Sequence, residues 1–408
     1  MVDIRPEGVL NPGSSSDYRY YNNPVHWQDS NTGWIRFWAP WFIFQHVNGE
    51  DVGQGANNNY TEYGVTTYVR PKINALDAQI AQAKSDGLKV MLVSWGYPQW
   101  ANGTAHLGLP SNLNESDVNF MPWNRMSYST WLSSRSNRGV LQDHNWKSLF
   151  YKCPDDRTPT GPWGRWIEWL YHRYGDATHN SAGAKIDALE IINEPNGYQY
   201  WPQQSEPPSD SSFQEKFSYQ MSRIVHCHVA EMMQTADTIA DWYGRTIRLA
   251  APAASDSPNQ SRLLTSRHNL TEGILDLLAN TNFSGRDTFA WTQHNYWDIE
   301  VPDPNYVRAL QTAQQLTGRW TGAGGSTAPK VWLTEGGFRL QKGGQTYTEQ
   351  QQHDAVLNAY LRVMYPGTPI RMWTNYGMYT DPNYDSGLVN QDGSRRLVYG
   401  AFSTFSSD

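Results

Sequence analysis

Between Ile186 and Asn196 the chain reads Ile-Asp-Ala-Leu-Glu-Ile-Ile-Asn-Glu-Pro-Asn. Ala188, Leu189, Ile191 and Ile192 form a short run rich in branched apolar side chains, the pattern of a strand covered on both faces in a parallel sheet. The run ends abruptly in polar chemistry. Asn193 and Glu194 close it, and Pro195, which cannot donate to a sheet ladder, turns the chain away. A carboxylate at the end of a buried strand is costly unless it faces a cleft and has partners. On this segment alone, a surface cap or ion pair would serve as well.

A second stretch repeats the pattern. Lys330 to Phe338 reads Lys-Val-Trp-Leu-Thr-Glu-Gly-Gly-Phe, an apolar strand that ends in Glu335, with glycines that let the backbone bend away. Two strand-end glutamates far apart in sequence are what an acid and a nucleophile need if they are to meet across one substrate.

Other strands and helices fall around these two. Residues 1 to 33 read as an irregular lead-in that can hide a short first strand. Gly33 to Pro40 is the first clear strand, and Arg36 inside it needs an acidic partner if it is buried. Residues 45 to 68, rich in Asn and Gly, read as a loop. Ile73, Leu76, Ile80 and Ala83 recur at helical spacing over Pro71 to Asp86, and Gly87 stops that helix. Leu88 to Trp95 is the next buried strand and runs into a loop that carries Trp100.

Periodicity is lost from Ala101 to about Pro162, a length that suits a functional loop or small subdomain. Trp163 to Tyr174 is an amphipathic helix, with Trp166, Ile167, Leu170 and Tyr171 on its apolar face. Phe213 to Tyr243 reads as a long helix, Thr246 to Pro252 as a fifth strand and Leu263 to Leu278 as a helix. Thr288 to Trp297 reads as a sixth strand, with His294 and Tyr296 on alternate positions of one face. A helix over Tyr306 to Thr317, a Gly-rich loop and the Glu335 strand follow. A helix over Tyr347 to Met364 leads to a last strand, Pro369 to Tyr376, which carries Trp373. A turn and a final helix close the chain. Strand and helix thus alternate from end to end. With 408 residues and no break in composition, one eight-stranded α/β barrel is the economical architecture.

Taken together, the Asn193-Glu194 pair, Glu335, Arg36, the His294-x-Tyr296 pair and Trp373 resemble the retaining glycoside hydrolases of clan A, barrel enzymes that include families 5 and 39. The resemblance implies a single (β/α)8 TIM barrel over residues 1–408, with 101–162 a cleft-lining insertion after the third strand. It implies Glu194 as acid/base and Glu335 as nucleophile, a choice that chemistry alone leaves open. Arg36 and Tyr296 would hydrogen-bond the nucleophile, Asn193 the sugar 2-hydroxyl, and His294 would lie near the acid. Trp373 would be the platform under the innermost sugar. Trp95 and Trp100, at a loop on the active face, serve equally as sugar contacts or loop packing. A structural ion pair for Arg36 and a buried, satisfied His294 are the plainer alternatives.

The implied reaction is hydrolysis of an oligo- or polysaccharide, β-linked, by double displacement. Clan members act on glucans, mannans, xylans and arabinofuranosides with the same glutamates, so the sugar is not read from them. A transglycosylase and a catalytically inactive carbohydrate-binding barrel are the rival readings. No cofactor is required. No metal is expected either, because His226 and His228 lie two residues apart and point to different helical faces.

Composition narrows the partners further. Net charge is -7, and charged residues are 17% of the chain, so no basic surface for nucleic acid is indicated. The 19 Trp and 24 Tyr suit stacking on sugar rings, although core packing is the plain role of most. Cys153 and Cys227 are too few for a disulfide framework and are read either as one bridge or as buried thiols. No apolar run reaches membrane-helix length. The start, Met-Val-Asp-Ile-Arg-Pro, lacks the segments of a signal peptide, and a secreted enzyme stripped of its leader would read the same. A carbohydrate is the expected partner; compartment and oligomeric state stay open.

Overall fold

A computed structural model describes residues 2–4, 29–44, 59–62, 65–95, 162–196, 229–257 apart from 231, 266–280, 289–320 apart from 302, 304 and 305, 322, and 329–405 apart from 381–383 and 391. Trp100, Cys153, Cys227, His226, His228 and nearly all of the insertion 101–162 lie outside these residues.

The strands of the two parallel sheets are β1 (Val2–Ile4), β2 (Trp34–Pro40), β3 (Lys89–Trp95), β4 (Ala188–Glu190), β5 (Arg248–Ala250), β6 (Trp291–His294), β7 (Val331–Glu335), β8 (Ile370–Trp373) and β9 (Asn375–Tyr376). All pairings among them are parallel. One sheet runs β9-β1-β2-β3-β4-β5 and the other β8-β7-β6.

The structure is therefore α/β with parallel sheets, but the ladder is divided where a single ring was expected. Between β5 and β6, among the described residues, no continuous ladder forms; the sheets are joined by the isolated bridges Ala250↔Ala290 and Ala254↔Gln293 and backbone hydrogen bonds such as Phe289 N–H to the Leu249 carbonyl at 2.6 Å. At the other junction the eighth strand is broken at Thr374. Its first half pairs with β7 and its second half, β9, with β1.

Packing explains the strand pattern. Met91, Ala188, Ala250, Ala290, Trp332 and Met372 form one buried cluster, with Trp34 and Phe289 packed against it. Three alanines there leave room for the Trp332 indole, whose ring lies 5.6 Å from that of Trp34 and 5.5 Å from that of Phe289. A larger side chain at Ala188 would force this cluster apart at a cost of about 1–3 kcal/mol. A second, larger cluster joins the opposite strand faces to the helices. The helix Val69–Ser85 contributes Ile73, Leu76, Ile80 and Ala83, and the helix Pro162–Gly175 contributes Trp166, Ile167, Leu170 and Tyr171. Gly87, at φ +83°, adopts the left-handed conformation that ends the first of these helices.

Four sequence expectations are corrected. Part of the loop expected over 45–68 is a hairpin, Asn59–Glu62 against Val65–Tyr68, built from residues of high strand propensity such as Tyr60, Val65, Thr66 and Thr67. The strand expected over the apolar run from Ala188 to Ile192, closing at Asn193 and Glu194, is regular only at Ala188–Glu190. The strand expected over Thr288–Trp297 ends at His294, because Asn295 takes φ -123°, ψ 30° and Tyr296 opens the helix Tyr296–Glu300. Residues Pro369–Tyr376 form two short strands instead of one. No described helix is long and apolar enough to cross a membrane.

Candidate active site

Glu335 is the last residue of β7 and is buried. Its backbone is anchored on both sides: its carbonyl accepts the Asn295 N–H at 3.0 Å, and the next carbonyl, of Gly336, accepts from Tyr376 N–H at 2.6 Å. Gly336 is required by close approach, since a Cβ there would lie 1.9 Å from Asn295 Oδ1. On the side chain, Oε1 accepts from the Tyr296 hydroxyl at 2.6 Å and Oε2 from Arg36 Nη1 at 3.1 Å. Although Tyr296 has left the strand, the first turn of its helix still points its hydroxyl at Glu335.

Glu194 is reached differently. After β4 the chain makes one more parallel bridge, Asn193↔Ala253, and Asn193 N–H donates to the Ser94 carbonyl at 3.2 Å. Glu194 then takes φ +41°, a left-handed conformation that is uncommon for a residue with a long side chain. Beyond it, the Asn196 side chain accepts from Ser255 N–H at 2.7 Å and donates to the Ser255 carbonyl at 2.9 Å, which ties this turn to the exit of β5. Glu194 Oε1 lies 2.8 Å from His294 Nδ1.

His294 links the two acids. Its Nδ1 faces Glu194, and its Nε2 is 3.5 Å from Glu335 Oε2. One ligand-type atom from each of Glu194, His294 and Glu335 falls within 4.8 Å of the others. Burial opposes a charge on His294, but the carboxylates of Glu335 and then Glu194 outweigh it, so its pKa is raised above the usual 6.5. Tyr296 is pushed well above the ordinary tyrosine range, by burial first and by Glu335 next, which keeps it an O–H donor.

Arg36 is fully buried and divides its donors. Besides Glu335, its Nη2 donates to Glu190 Oε1 at 2.5 Å and to Asn193 Oδ1 at 2.8 Å. Arg36 thus spans β2, β4 and β7, so side chains of both sheets meet in one interior. That interior could in principle gather a cation. The guanidinium and the Tyr296 hydroxyl, however, already hold both oxygens of Glu335, and positive charge 3.1 Å away opposes a metal ion there. The arrangement suits proton transfer and attack at an electrophilic carbon better than metal ligation.

No protein-family profile and no curated protein sequence matches the chain. Solved structures do. It aligns with a GH5_18 from Bifidobacterium longum subsp. infantis at TM-score 0.51 and 13% identity, covering 98% of this chain and 76% of that one. It aligns with a glucosidase from Croceicoccus marinus at TM-score 0.51 and 10% identity, covering 93% and 62%. The fold is that of the clan A glycoside hydrolases. A family 39 glycoside hydrolase from Bacteroides cellulosilyticus WH2 is matched at TM-score 0.48 and 14% identity, over 98% of this chain. The chain spans only 62% of that protein's length.

Against this clan A frame, the remaining expected residues separate. Arg36, Asn193, Glu194, His294, Tyr296 and Glu335 are brought together. Trp95, partly exposed, meets Trp38 edge-on at 5.1 Å, and the Trp38 ring lies 5.1 Å from the Arg36 guanidinium carbon, so Trp95 adjoins the site through Trp38. Trp373 is not brought to the pair. It packs edge-on against Tyr360 of the helix Glu349–Val363, 5.8 Å away, within the cluster between sheet and helices. A register shift between Ile370 and Met372 precedes it in β8.

Five residues at or beside the site are absent from the sequence reading. Glu190 and Trp38 were hidden inside apolar strands. Tyr376 and Tyr384 surround Tyr296 edge-on at 6.3 and 5.5 Å, and Arg339, in a two-point ion pair with Glu300 at 2.6 and 2.7 Å, lies over the Tyr384 ring. A charged residue in the middle of a buried strand was the available signal for Glu190.

Proposed function

We propose that the chain is a retaining glycoside hydrolase, a single (β/α)8 barrel that cleaves a β-linked oligo- or polysaccharide by double displacement. One observation carries this reading: two buried glutamates from different sheets converge with His294 inside 4.8 Å, and the donors of Arg36 and Tyr296 fall on Glu335. Retaining glycosidases need their two carboxyl groups about 5–5.5 Å apart, close enough for one to attack the anomeric carbon without an intervening water.

In this scheme Glu335, held ionised by Arg36 and Tyr296, attacks the anomeric carbon. Glu194 delivers a proton to the leaving oxygen, and a proton on Glu194 removes the repulsion between two buried carboxylates. The product of this step is a glycosyl ester on Glu335. Esterification abolishes the charge of Glu335, after which Glu194 can take a proton from water and direct it at the same carbon. Asn193 has its Oδ1 engaged by Arg36, while its Nδ2 is buried with no hydrogen-bond partner among the described residues. That amide is suited to donate to the sugar 2-hydroxyl. Trp95, Trp100 and the insertion 101–162 would wall the cleft, and no cofactor enters the scheme.

The test is a screen against aryl β-glycosides and plant or bacterial polysaccharides, with the product anomer followed by proton NMR. Retention of configuration and indifference to a chelator are expected. Inversion would show that water, not Glu335, attacks, and loss of turnover on chelation would reassign the Glu194–His294–Glu335 group to a metal centre.

A further inference from the structure

Arg36 faces two described carboxylates, and the closer one is not the expected nucleophile. Its Nη2 lies 2.5 Å from Glu190 Oε1, whereas its Nη1 lies 3.1 Å from Glu335 Oε2. A guanidinium opposite a single carboxylate commonly forms a two-point fork that neutralises it. Here the fork is divided among Glu190, Asn193 and Glu335.

Glu190 has no evident reason to be charged for the sake of the fold. It is fully buried in β4 between Leu189 and Ile191, and its ladder neighbours are Val93 and Ala250. Its Oε2 has no hydrogen-bond partner among the described residues. A buried carboxylate with an unsatisfied oxygen is a poor stabiliser, and an apolar or amide side chain of similar size commonly replaces such a group without loss.

We propose that Glu190 is a positioning residue: by taking the Arg36 guanidinium as its own ion-pair partner, it keeps Glu335 an incompletely neutralised and therefore reactive carboxylate. The proposal rests on the glycosidase reading for its consequence in catalysis, but not for its electrostatics. Among the described residues, the charged and titratable groups of this interior are Arg36 from β2, Glu190 and Glu194 from β4 and its exit, His294 and Tyr296 from β6 and the following turn, and Glu335 from β7, with Tyr376 of β9 and Tyr384 against Tyr296. With Glu190 and Glu335 both ionised, one negative charge exceeds that of Arg36 even before Glu194 is counted. His294 is the group placed to balance it, since its Nδ1 meets Glu194 at 2.8 Å and its Nε2 lies 3.5 Å from Glu335, the two carboxylates that raise its pKa.

Glu190→Gln tests this directly, because the amide oxygen still accepts from Arg36 while the charge is gone. An NMR titration of the His294 imidazole needs no substrate. Its midpoint is expected to fall by about one pH unit, a tenfold change in proton affinity, and to stay near the wild-type value in Glu190→Asp, which keeps the charge. In turnover, the acid limb of the kcat/KM profile is expected to move down by a similar amount in Glu190→Gln, as Arg36 settles on Glu335. A purely structural role would leave both curves in place, and coincident titrations of wild type and Glu190→Gln would overturn the proposal.

Should Glu190→Gln not fold, Arg36→Lys asks the question from the other side. An ammonium held by Glu190 cannot also serve Glu335, so the acid limb should rise by about one unit; an unmoved limb would show that Arg36 belongs to Glu335. Absence of glycosidase activity in the wild type would sink the catalytic reading alone, because the His294 titration remains readable.

Discussion

The ends of β4 and β7 present the same side chain in contrasting ways. β7 is a strand of five buried residues, paired on one side with β6, with a register shift just before Glu335, and on the other with β8, and Glu335 sits at its end with Tyr296 and Arg36 on its two oxygens. β4 is regular for only three residues; Glu194 lies beyond it in a left-handed backbone conformation, with the His294 ring against it. A nucleophile benefits from a fixed position and a stabilised negative charge. An acid/base must gain and lose a proton in each turnover, which calls for a neighbour that can share one. The two surroundings match that division of labour and support the assignment that the clan resemblance suggests.

The largest expected effect would break the contrast outright. A 2,4-dinitrophenyl leaving group needs no proton, so Glu194→Ala should still form the glycosyl-enzyme on such a substrate, whereas Glu335→Gly should lose this step by at least about 10³-fold. Azide should then rescue the two variants with opposite stereochemistry. The Glu194 variant is expected to yield the azide of retained configuration, and the Glu335 variant the inverted one. The reverse pattern would exchange the roles of the two glutamates.

A smaller effect sharpens the β7 side. Tyr296→Phe removes the hydroxyl 2.6 Å from Glu335 Oε1 and leaves the ring between Tyr376 and Tyr384. Loss of a hydrogen bond to a charged group is worth about 1.5–3 kcal/mol, so kcat/KM should fall roughly 10- to 150-fold with little change in fold. A loss below about threefold would mean that Arg36 holds Glu335 alone.

The contrast also shows what could be read before folding. Apolar runs bounded by Gly and Pro located β2 to β8, and helical spacing located the faces of Val69–Ser85 and Pro162–Gly175, because those patterns report burial directly. The convergence of Arg36, Asn193, Glu194, His294, Tyr296 and Glu335 followed from residue type at strand ends together with the clan resemblance. Backbone departures were not legible. Nothing in His-Asn-Tyr-Trp marks Asn295 as the point where strand becomes helix, and no pattern announces the register shift in β8 that accompanies the outward packing of Trp373. Glu190 was overlooked for a related reason. Within Ala-Leu-Glu-Ile it resembles a tolerated polar residue until Arg36, a distant part of the chain, is placed beside it.

The smallest effect probes the backbone of the β4 side. A left-handed conformation costs a residue with a full side chain about 1–2 kcal/mol, and Asn bears it more readily because its short polar group can bond locally. Glu194→Asn should therefore abolish turnover while raising stability by about 1 kcal/mol, read as a higher urea midpoint at unchanged slope. Glu194→Gln, which removes the same acid without that backbone preference, separates the two causes: if it stabilises as much as Asn, the gain came from replacing a buried acid and not from relief of strain. At β7 the sign should reverse. Glu335 has no left-handed backbone to relieve, and Glu335→Gln weakens a charge-assisted bond from Arg36, so it should lose about 1–3 kcal/mol. Two glutamates of one site, one a burden to the fold and the other a support, would then differ in stability as they differ in chemistry.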